Sequence, residues 1–140
     1  MSDIIKVKSG SMYEEKNGYS RLVMAGDLIF VSNTAGIDYA TREISPQAGI
    51  QAEKALQNIE GALRSVDASL ADIVRIVTHV PDPGDVAAVA EVLGRTFRGI
   101  DPAATTLCTP LTRPDLKVEF EVTAVRGTGS AQHDRRSVTL

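Results

Sequence analysis

The segment from residue 117 to residue 125 holds the side chains of this chain that are best suited to proton transfer. It reads KVEFEVTAV, and this alternation of apolar and polar residues predicts a β-strand. One face takes Val118, Phe120, Val122 and Ala124, and the other takes Glu119, Glu121 and Thr123. A carboxylate partly removed from water can act as a general acid or base, because burial raises its pKa toward neutrality. An ordinary surface strand shows the same alternation, so the pattern alone leaves both interpretations open.

The other reactive side chains are few. Cys108 is the only cysteine, which excludes an internal disulfide and a cysteine-based metal cluster, and we expect it to be a small buried apolar residue. His79 has no visible partner, and we expect a packed or surface side chain there rather than a ligand. His133 lies in a polar tail. No spacing of these residue types predicts a metal site.

The composition is that of one globular domain. The chain has 140 residues, of which 43% are hydrophobic and 24% charged, enough for one core but not for two. A net charge of -3 without a basic stripe disfavours nucleic-acid binding. The apolar runs are too short to cross a bilayer, and the N-terminus lacks the features of a signal peptide, so we expect a cytoplasmic protein without a membrane partner.

Hydrophobic periodicity predicts an α+β fold with six strands and two helices in the order β-β-β-α-β-α-β-β. The strands are expected at residues 4–7, 19–24, 28–32, 73–80, 105–109 and 116–125. Ser45 and Pro46 begin the first helix, and the second runs from about residue 85 to residue 98. Residues 9–18 and 33–43 are expected to be loops, the latter bending at Gly36. The domain spans residues 1–127, and we expect residues 128–140 to be a disordered tail.

Both predicted helices are apolar on one side only. The apolar side of the first consists of Ala52, Ala55, Leu56, Ile59, Leu63 and Val66, and that of the second consists of Val86, Val89, Ala90, Leu93 and Phe97. Gln51 and Asn58 fall on the polar side of the first helix. Such helices cover one face of the sheet and leave the other open.

The strand at residues 73–80 indicates what covers the open face. Val74, Ile76 and Val80 alternate with Ile73, Arg75, Val77 and His79, so both faces of this strand are partly apolar. A strand of this kind is usually buried on both sides. We therefore expect other copies of the chain to pack against the open face.

Five segments together resemble the RidA/YjgF family of small trimeric enamine/imine deaminases. They are residues 26–32 (GDLIFVS), 51–59 (QAEKALQNI), 68–75 (ASLADIVR), 102–105 (PAAT) and 117–121 (KVEFE). The resemblance covers residues 19–126, and residues 14–21 are similar to a subgroup distinct from the best-studied members. It implies a chorismate-mutase-like fold in which three subunits pack sheet to sheet, with ligand clefts between neighbours. It also implies hydrolysis of small enamines and imines, such as 2-aminoacrylate, to a keto acid and ammonia without a cofactor.

The chain departs from the family pattern at two positions. Deaminating members have an arginine after the Pro-Ala pair that holds the substrate carboxylate, and here that position is Ala104. A guanidinium supplies two charge-assisted hydrogen bonds, each worth about 1.5–3 kcal/mol, so its loss is expected to change the substrate. Asn33 follows Ser32 where the family usually has glycine, and its side chain could narrow the cleft or add a hydrogen bond.

The resemblance also suggests which residues form the site. Glu119 aligns with the acidic cleft residue and would activate or orient water, whereas Glu121 is expected to be structural. Tyr19 matches a tyrosine that lines the substrate site, or is a half-buried strand residue. The backbone groups of Thr105 and Thr106 would flank the substrate, or these threonines reflect β-propensity alone.

Three cations are candidates to replace the missing arginine, namely Arg21, Lys16 and Arg113, although a surface charge is the favoured interpretation of each. The leading hypothesis is a homotrimeric hydrolase acting on an enamine, an imine or a related small electrophile. One alternative is a trimer that binds a metabolite without converting it, which the alanine at position 104 keeps open. RNA cleavage is a more distant third, disfavoured by the net charge and by the lack of clustered aromatic and basic residues.

Overall fold

The computed structural model describes residues 3–140 and contains a six-stranded sheet and three helices. In chain order these are β1 (Ile4–Val7), α1 (Met12–Asn17), β2 (Leu22–Ala25), β3 (Leu28–Ala35), α2 (Ala48–Arg64), β4 (Ile73–His79), α3 (Val86–Phe97), β5 (Ala103–Leu107) and β6 (Glu119–Val125). The predicted α+β class and the order of the six strands and two long helices are confirmed. No helix among residues 3–140 is long and apolar enough to span a bilayer.

The sheet has the strand order β1-β2-β3-β6-β4-β5. Only β4 and β5 pair in parallel, and the other neighbours are antiparallel. The last strand in sequence therefore lies between β3 and β4. Its alternation is confirmed, since Phe120, Val122 and Ala124 are buried whereas Glu121 is exposed. Glu119, the first residue of β6, pairs with Ala35 on one side and with His79 on the other.

Helices α2 and α3 pack on one face of this sheet and enclose the core. All six residues of the predicted apolar face of the first helix are buried there: Ala52, Ala55, Leu56, Ile59, Leu63 and Val66. Burying a leucine or isoleucine side chain contributes about 1.5–3 kcal/mol, so this face fixes the helix on the sheet. The prediction for α3 was wrong in one detail, because Val92 is buried and Ala90 is exposed.

The predicted loop at residues 9–18 contains helix α1. The Ser11 hydroxyl accepts a hydrogen bond from the Tyr13 N–H at 3.3 Å and caps its start. Gly18 ends it in the left-handed region, with φ of 72°. A helix of six residues is too short to show an apolar stripe, which is why periodicity missed it.

The chain bends at Gly36, as predicted, although strand β3 continues to Ala35 and so includes the first residues of the predicted loop. Gly36 lies against the backbone of α2. A Cβ atom at Gly36 would be 2.1 Å from the Gln51 carbonyl oxygen, closer than any real contact. The absence of a side chain thus lets the end of β3 touch the first turns of α2.

The opposite face of the sheet is not covered by any element among residues 3–140. Large apolar side chains there are solvent-exposed, among them Ile4, Leu28, Phe30 and Leu107. The alternation predicted for β4 is shifted, since a register irregularity between Ile73 and Arg75 turns Ile73 into the core and Val74 outward. We call this surface the open face.

A 3-10 turn at Thr128–Ser130 follows β6, and residues 131–140 form neither helix nor strand. The Arg135 guanidinium donates hydrogen bonds to Asp101 Oδ2 and to the Gly99 carbonyl, both at 2.6 Å. The predicted domain boundary and the disorder of the tail stay predictions.

Candidate functional site

Glu119 lies at the start of the central strand, with its side chain half-buried. Burial raises the pKa of Glu119, and the positive charges of Arg21, His79 and Arg113 offset part of that rise. The Oε1 atom accepts a hydrogen bond from Asn33 Nδ2 at 3.4 Å. The carboxyl group therefore keeps its proton to a higher pH than an exposed glutamate, as a group that transfers protons near neutrality requires.

Asn33 lies in the irregular part of β3, where the register with β6 shifts between Val31 and Thr34. This irregularity brings its side chain to Glu119. The Asn33 Oδ1 atom is buried and has no hydrogen-bond partner among residues 3–140. A buried acceptor without a donor costs about 1–3 kcal/mol, so such an atom calls for an explanation, and a bound donor is one.

His79 is a packed side chain, in line with the sequence expectation, and it has two side-chain partners that the sequence did not reveal. Its Nδ1 atom lies 3.1 Å from Thr109 Oγ1, and its Nε2 atom lies 3.3 Å from Glu121 Oε1. Strand pairing also places His79 directly opposite Glu119. Two carboxylates and an imidazole therefore meet at this end of β6.

Arg21 is buried, so its interpretation as a surface charge was wrong. Its Nε atom donates to Glu14 Oε2 at 3.1 Å, and its Nη1 atom donates to the Asn33 carbonyl at 2.7 Å and to Thr34 Oγ1 at 3.3 Å. Burial would raise the pKa of Glu14, but hydrogen bonds from the Ser9 hydroxyl and backbone N–H and from Arg21 hold it below its ordinary value. This ion pair fixes the guanidinium beside the residue that contacts Glu119.

Helix α2 holds the segments on both sides of Glu119 and Asn33. The Gln51 amide donates to the carbonyls of Ser45 and Asp115 at 2.7 and 2.9 Å and accepts from the Lys117 N–H at 2.8 Å. The Asn58 amide donates to the carbonyls of Ala35 and Ile37 at 3.0 and 2.9 Å. The sequence placed both residues on the polar side of the helix, and the structure shows that their amides satisfy backbone groups of the neighbouring segments.

A pocket of about 390 Å³ opens beside this cluster, and we call it the tyrosine–arginine pocket. It is lined by Ser11, Tyr13, Asn17, Tyr19, Arg21, Ile37, Tyr39, Arg42, Thr112, Arg113 and Leu116. The chain has three tyrosines, and all of them line this one pocket. The Arg21 guanidinium carbon lies 5.7 Å from the ring centres of both Tyr19 and Tyr39, within the range of cation–π attraction. Burial raises the pKa of Tyr39, so its hydroxyl stays protonated at neutral pH.

The remaining predicted site residues lie elsewhere on the single chain. Ala104, Thr105 and Thr106 are on the edge strand β5, which β4 separates from β6, and they do not line the tyrosine–arginine pocket. Ala104 lies in a different groove with Phe97 and Pro102. Lys16 is an exposed residue of α1, and Cys108, expected to be buried, is exposed. One chain therefore joins Glu119, Asn33, Arg21 and Tyr19 but not the β5 residues.

Sequence reasoning missed Tyr13, Tyr39 and Arg42. A compositional signal was available, because the chain has no tryptophan and only three phenylalanines, so tyrosines in polar segments are conspicuous. The signal gave no indication that the segments before β2 and after β3 meet, since that contact depends on α1 and on the close approach at Gly36.

Comparison with known proteins identifies relatives across most of the chain. A family model described as Endoribonuclease L-PSP matches residues 11–126. The RutC family protein UK114 of Drosophila melanogaster is 31% identical over 110 residues, covering 78% of this chain and 80% of that protein. The 2-iminobutanoate/2-iminopropanoate deaminase of Capra hircus is 27% identical over 110 residues, with 78% of this chain and 80% of that protein covered.

A solved structure agrees with this assignment. Rv2704 of Mycobacterium tuberculosis, described as a member of the YjgF/YER057c/UK114 family, matches with a TM-score of 0.76 and 35% identity, over 87% of this chain and 98% of that chain. The predicted RidA/YjgF resemblance is therefore confirmed, and the chain belongs to the family described as Endoribonuclease L-PSP, or YjgF/YER057c/UK114.

Proposed function

We propose that this protein hydrolyses a reactive enamine, imine or related small metabolite, releasing ammonia and a carbonyl product. The observation that carries the proposal is the pair of Glu119 and Asn33. It combines a half-buried carboxyl group whose pKa is raised with a neighbouring buried acceptor that lacks a donor. An imine or enamine nitrogen carries N–H groups that suit this acceptor, and its carbon is open to attack by water.

The reaction assigns each group a role. The ionised Glu119 accepts a proton from a water molecule as the water oxygen forms a bond to the imine carbon. The substrate enters as the iminium ion, so addition of the water oxygen gives a neutral carbinolamine. The protonated Glu119 then returns its proton to the nitrogen. As the C–N bond breaks and ammonia leaves, Glu119 accepts the proton of the hydroxyl group, which becomes the carbonyl, and then releases that proton to the solvent. Asn33 Oδ1 orients the nitrogen throughout by accepting its N–H.

The similarity to a 2-iminobutanoate/2-iminopropanoate deaminase supports this reaction class. Ala104 has no guanidinium to hold a substrate carboxylate. We therefore infer that this chain holds its substrate differently from members that have an arginine at that position. The tyrosine and arginine side chains beside Glu119 are the groups available for that purpose.

We also propose that the active form is a cytoplasmic homotrimer whose subunits pack through the open face. The exposed apolar side chains of that face support self-association, because a contiguous apolar surface on a monomer is usually an interface. In this arrangement Thr105 and Thr106 on the edge strand would approach the cleft of a neighbouring copy. A single chain leaves them apart from Glu119.

Ammonia release from a panel of imines and enamines, with and without a carboxylate, tests the proposal. Glu119→Gln should lower kcat by about 10²–10⁴-fold, the usual contribution of general acid–base catalysis. The matched control is Glu91→Gln, an exposed carboxylate of α3, which should leave the rate unchanged. Equal rates for the wild type, Glu119→Gln and the uncatalysed reaction across the panel would reject the proposal.

The alternative is a binding protein with the same clefts, which Ala104 favours because the catalytic members' arginine is absent. A ligand that binds saturably in a thermal-shift screen and is never converted supports this alternative. Incubation with RNA, with Glu119→Gln as the control, tests the activity after which the family is described. The net charge of -3 argues against that activity for this chain.

A further inference from the structure

We propose that the tyrosine–arginine pocket binds the carboxylate of a planar, unsaturated acid and so takes the place of the arginine missing at position 104. This inference rests on the proposed function, because the pocket would bind the carboxylate of the same substrate. It differs from the arrangement with an arginine on β5, because the cations come from the residue before β2, the loop after β3 and the segment before β6.

The pocket contains charged donors that are free to bind a ligand. The Arg42 guanidinium makes no hydrogen bond or ion pair within residues 3–140 and lies 5.9 Å from the Tyr39 ring. Arg21 uses Nε and Nη1 for internal contacts, and Arg113 uses Nε and Nη2 for Asp115. Each of the three guanidinium groups therefore keeps N–H groups for a ligand.

Arg42 is the pocket guanidinium without a carboxylate partner within the part of the chain that the structure describes. Arg21 and Arg113 pair with Glu14 and Asp115, and both also lie close enough to Glu119 to lower its pKa. The pocket wall thus keeps one guanidinium, that of Arg42, outside any ion pair. A ligand carboxylate would restore neutrality there, and bidentate contact with a guanidinium is the geometry that carboxylates favour.

The size and the lining of the pocket also suit such a ligand. The pocket has a volume of about 390 Å³. It falls at the lower end of the about 300–1,000 Å³ of ligand pockets. Three tyrosine rings line it, and aromatic rings pack well against flat conjugated groups. The pocket therefore suits an acid with a planar body larger than a three-carbon imine.

The pocket is connected to the proposed acid–base residue, Glu119. Arg21 Nη1 donates to the Asn33 carbonyl at 2.7 Å, and the Asn33 amide donates to Glu119 at 3.4 Å. Leu116 in the pocket wall precedes Glu119 by three residues, and Ile37 follows Ala35, the strand partner of Glu119, by two. A carboxylate held by the arginines can therefore direct the C=N group of the same molecule toward Glu119.

Calorimetric titration with benzoate, an unreactive planar carboxylate, tests the subsite, and benzamide serves as the neutral counterpart. Benzoate should bind saturably and at least about tenfold more tightly than benzamide. Arg42→Gln and Arg113→Gln should each weaken benzoate binding by about tenfold or more, consistent with the loss of a charge-assisted contact. Arg64→Gln removes an exposed guanidinium on α2 that pairs with Glu60, and this control should leave binding unchanged.

The possible failures are distinguishable. Glu119→Gln should lower kcat by about 10²–10⁴-fold and keep benzoate binding. A wild-type protein that binds benzoate through Arg42 but converts no imine or enamine supports the subsite and rejects the proposed reaction. The wild type and Arg42→Gln could instead convert a carboxylate-bearing imine with the same KM. That result would reject the subsite but would remain consistent with the proposed reaction. Equal affinity for benzoate and benzamide, or tighter binding of inorganic phosphate than of benzoate, also overturns the subsite.

Discussion

The Nδ2 atom of Asn33 lies 3.4 Å from the Oε1 atom of Glu119, although the two residues are 86 positions apart in the chain. The contact depends on the position of β6 beside β3 and on the irregularity of β3 near Asn33. The same asparagine accepts a hydrogen bond from Arg21 through its backbone carbonyl. It therefore joins the proposed acid–base residue to the wall of the tyrosine–arginine pocket.

The first prediction concerns the pH dependence of turnover. Burial raises the pKa of Glu119, and the reaction needs its ionised form, so kcat/KM should rise with pH through an apparent pKa above the ordinary glutamate value of about 4.3. Arg113 lowers the pKa of Glu119, so Arg113→Gln should move this acid limb to higher pH. Arg126→Gln, at the far end of β6, is the control. An acid limb that moves to lower pH in Arg113→Gln, or that does not move, contradicts the assignment of this limb to Glu119.

The second prediction concerns the buried Glu14–Arg21 pair. Glu14→Gln removes one partner from a buried ion pair, and we expect a loss of about 3–5 kcal/mol in the free energy of unfolding. The neighbouring Glu15 pairs with Lys8 at the surface, so Glu15→Gln should change it by about 1 kcal/mol or less. Denaturant titrations of the two variants measure the difference. Equal losses of unfolding free energy would show that the buried Glu14–Arg21 pair contributes no more than the surface pair.

The same pair gives stability a pH dependence of known sign. The pKa of Glu14 is lower in the folded chain than in the unfolded one, so the unfolded state binds its proton more readily. The stabilisation from Glu14 is therefore fully present above the unfolded pKa and declines as the pH falls through the folded pKa. The difference in unfolding free energy between the wild type and Glu14→Gln should shrink over that acid range.

The third prediction compares two glycines. At Gly36 a Cβ would meet the Gln51 backbone at 2.1 Å, so Gly36→Ala should force β3 and α2 apart and cost about 1–3 kcal/mol or more. At Gly61, within α2, no heavy atom lies within 4 Å of the added Cβ. Gly61→Ala should raise the unfolding free energy by about 0.4–1 kcal/mol. Thermal or denaturant unfolding of the two variants measures these effects. Changes in unfolding free energy of the same sign in Gly36→Ala and Gly61→Ala would contradict the prediction.

The fourth prediction concerns assembly. Light scattering of the wild type should give three times the chain mass of 14.9 kDa. Phe30 on the open face is 48% exposed, and Phe30→Glu should shift the mass toward that of the single chain. Ile50 on α2 is similarly exposed at 46%, and Ile50→Glu should keep the wild-type mass. A monomeric wild type, or equal behaviour of the two variants, would remove the support for a trimer.

Periodicity predicted the six strands, both long helices and nearly all of the core, because each of these depends on local patterns that burial enforces. It failed where contacts over long sequence distances decide the outcome. Gln51 and Asn58 look solvated in sequence, yet their amides bind loop carbonyls, and no local pattern reveals such partners. Arg21 looks like a surface charge because its counter-ion, Glu14, belongs to a short helix without an apolar stripe.

The site was predicted in part for a similar reason. Glu119 and Asn33 emerged from a family resemblance, and the structure places them in contact, although it does not test their roles. Tyr39 and Arg42 lie in a loop after β3 whose sequence predicts only that it is polar. Their meeting with Tyr13 depends on how α1 and that loop fold back, which is a tertiary property.

The convergence of every tyrosine on one pocket has a practical consequence in a protein without tryptophan. The intrinsic fluorescence of the unmodified chain comes chiefly from Tyr13, Tyr19 and Tyr39. Its emission intensity is therefore a label-free optical signal from that single location, and changes in it can follow occupancy in real time during stopped-flow mixing.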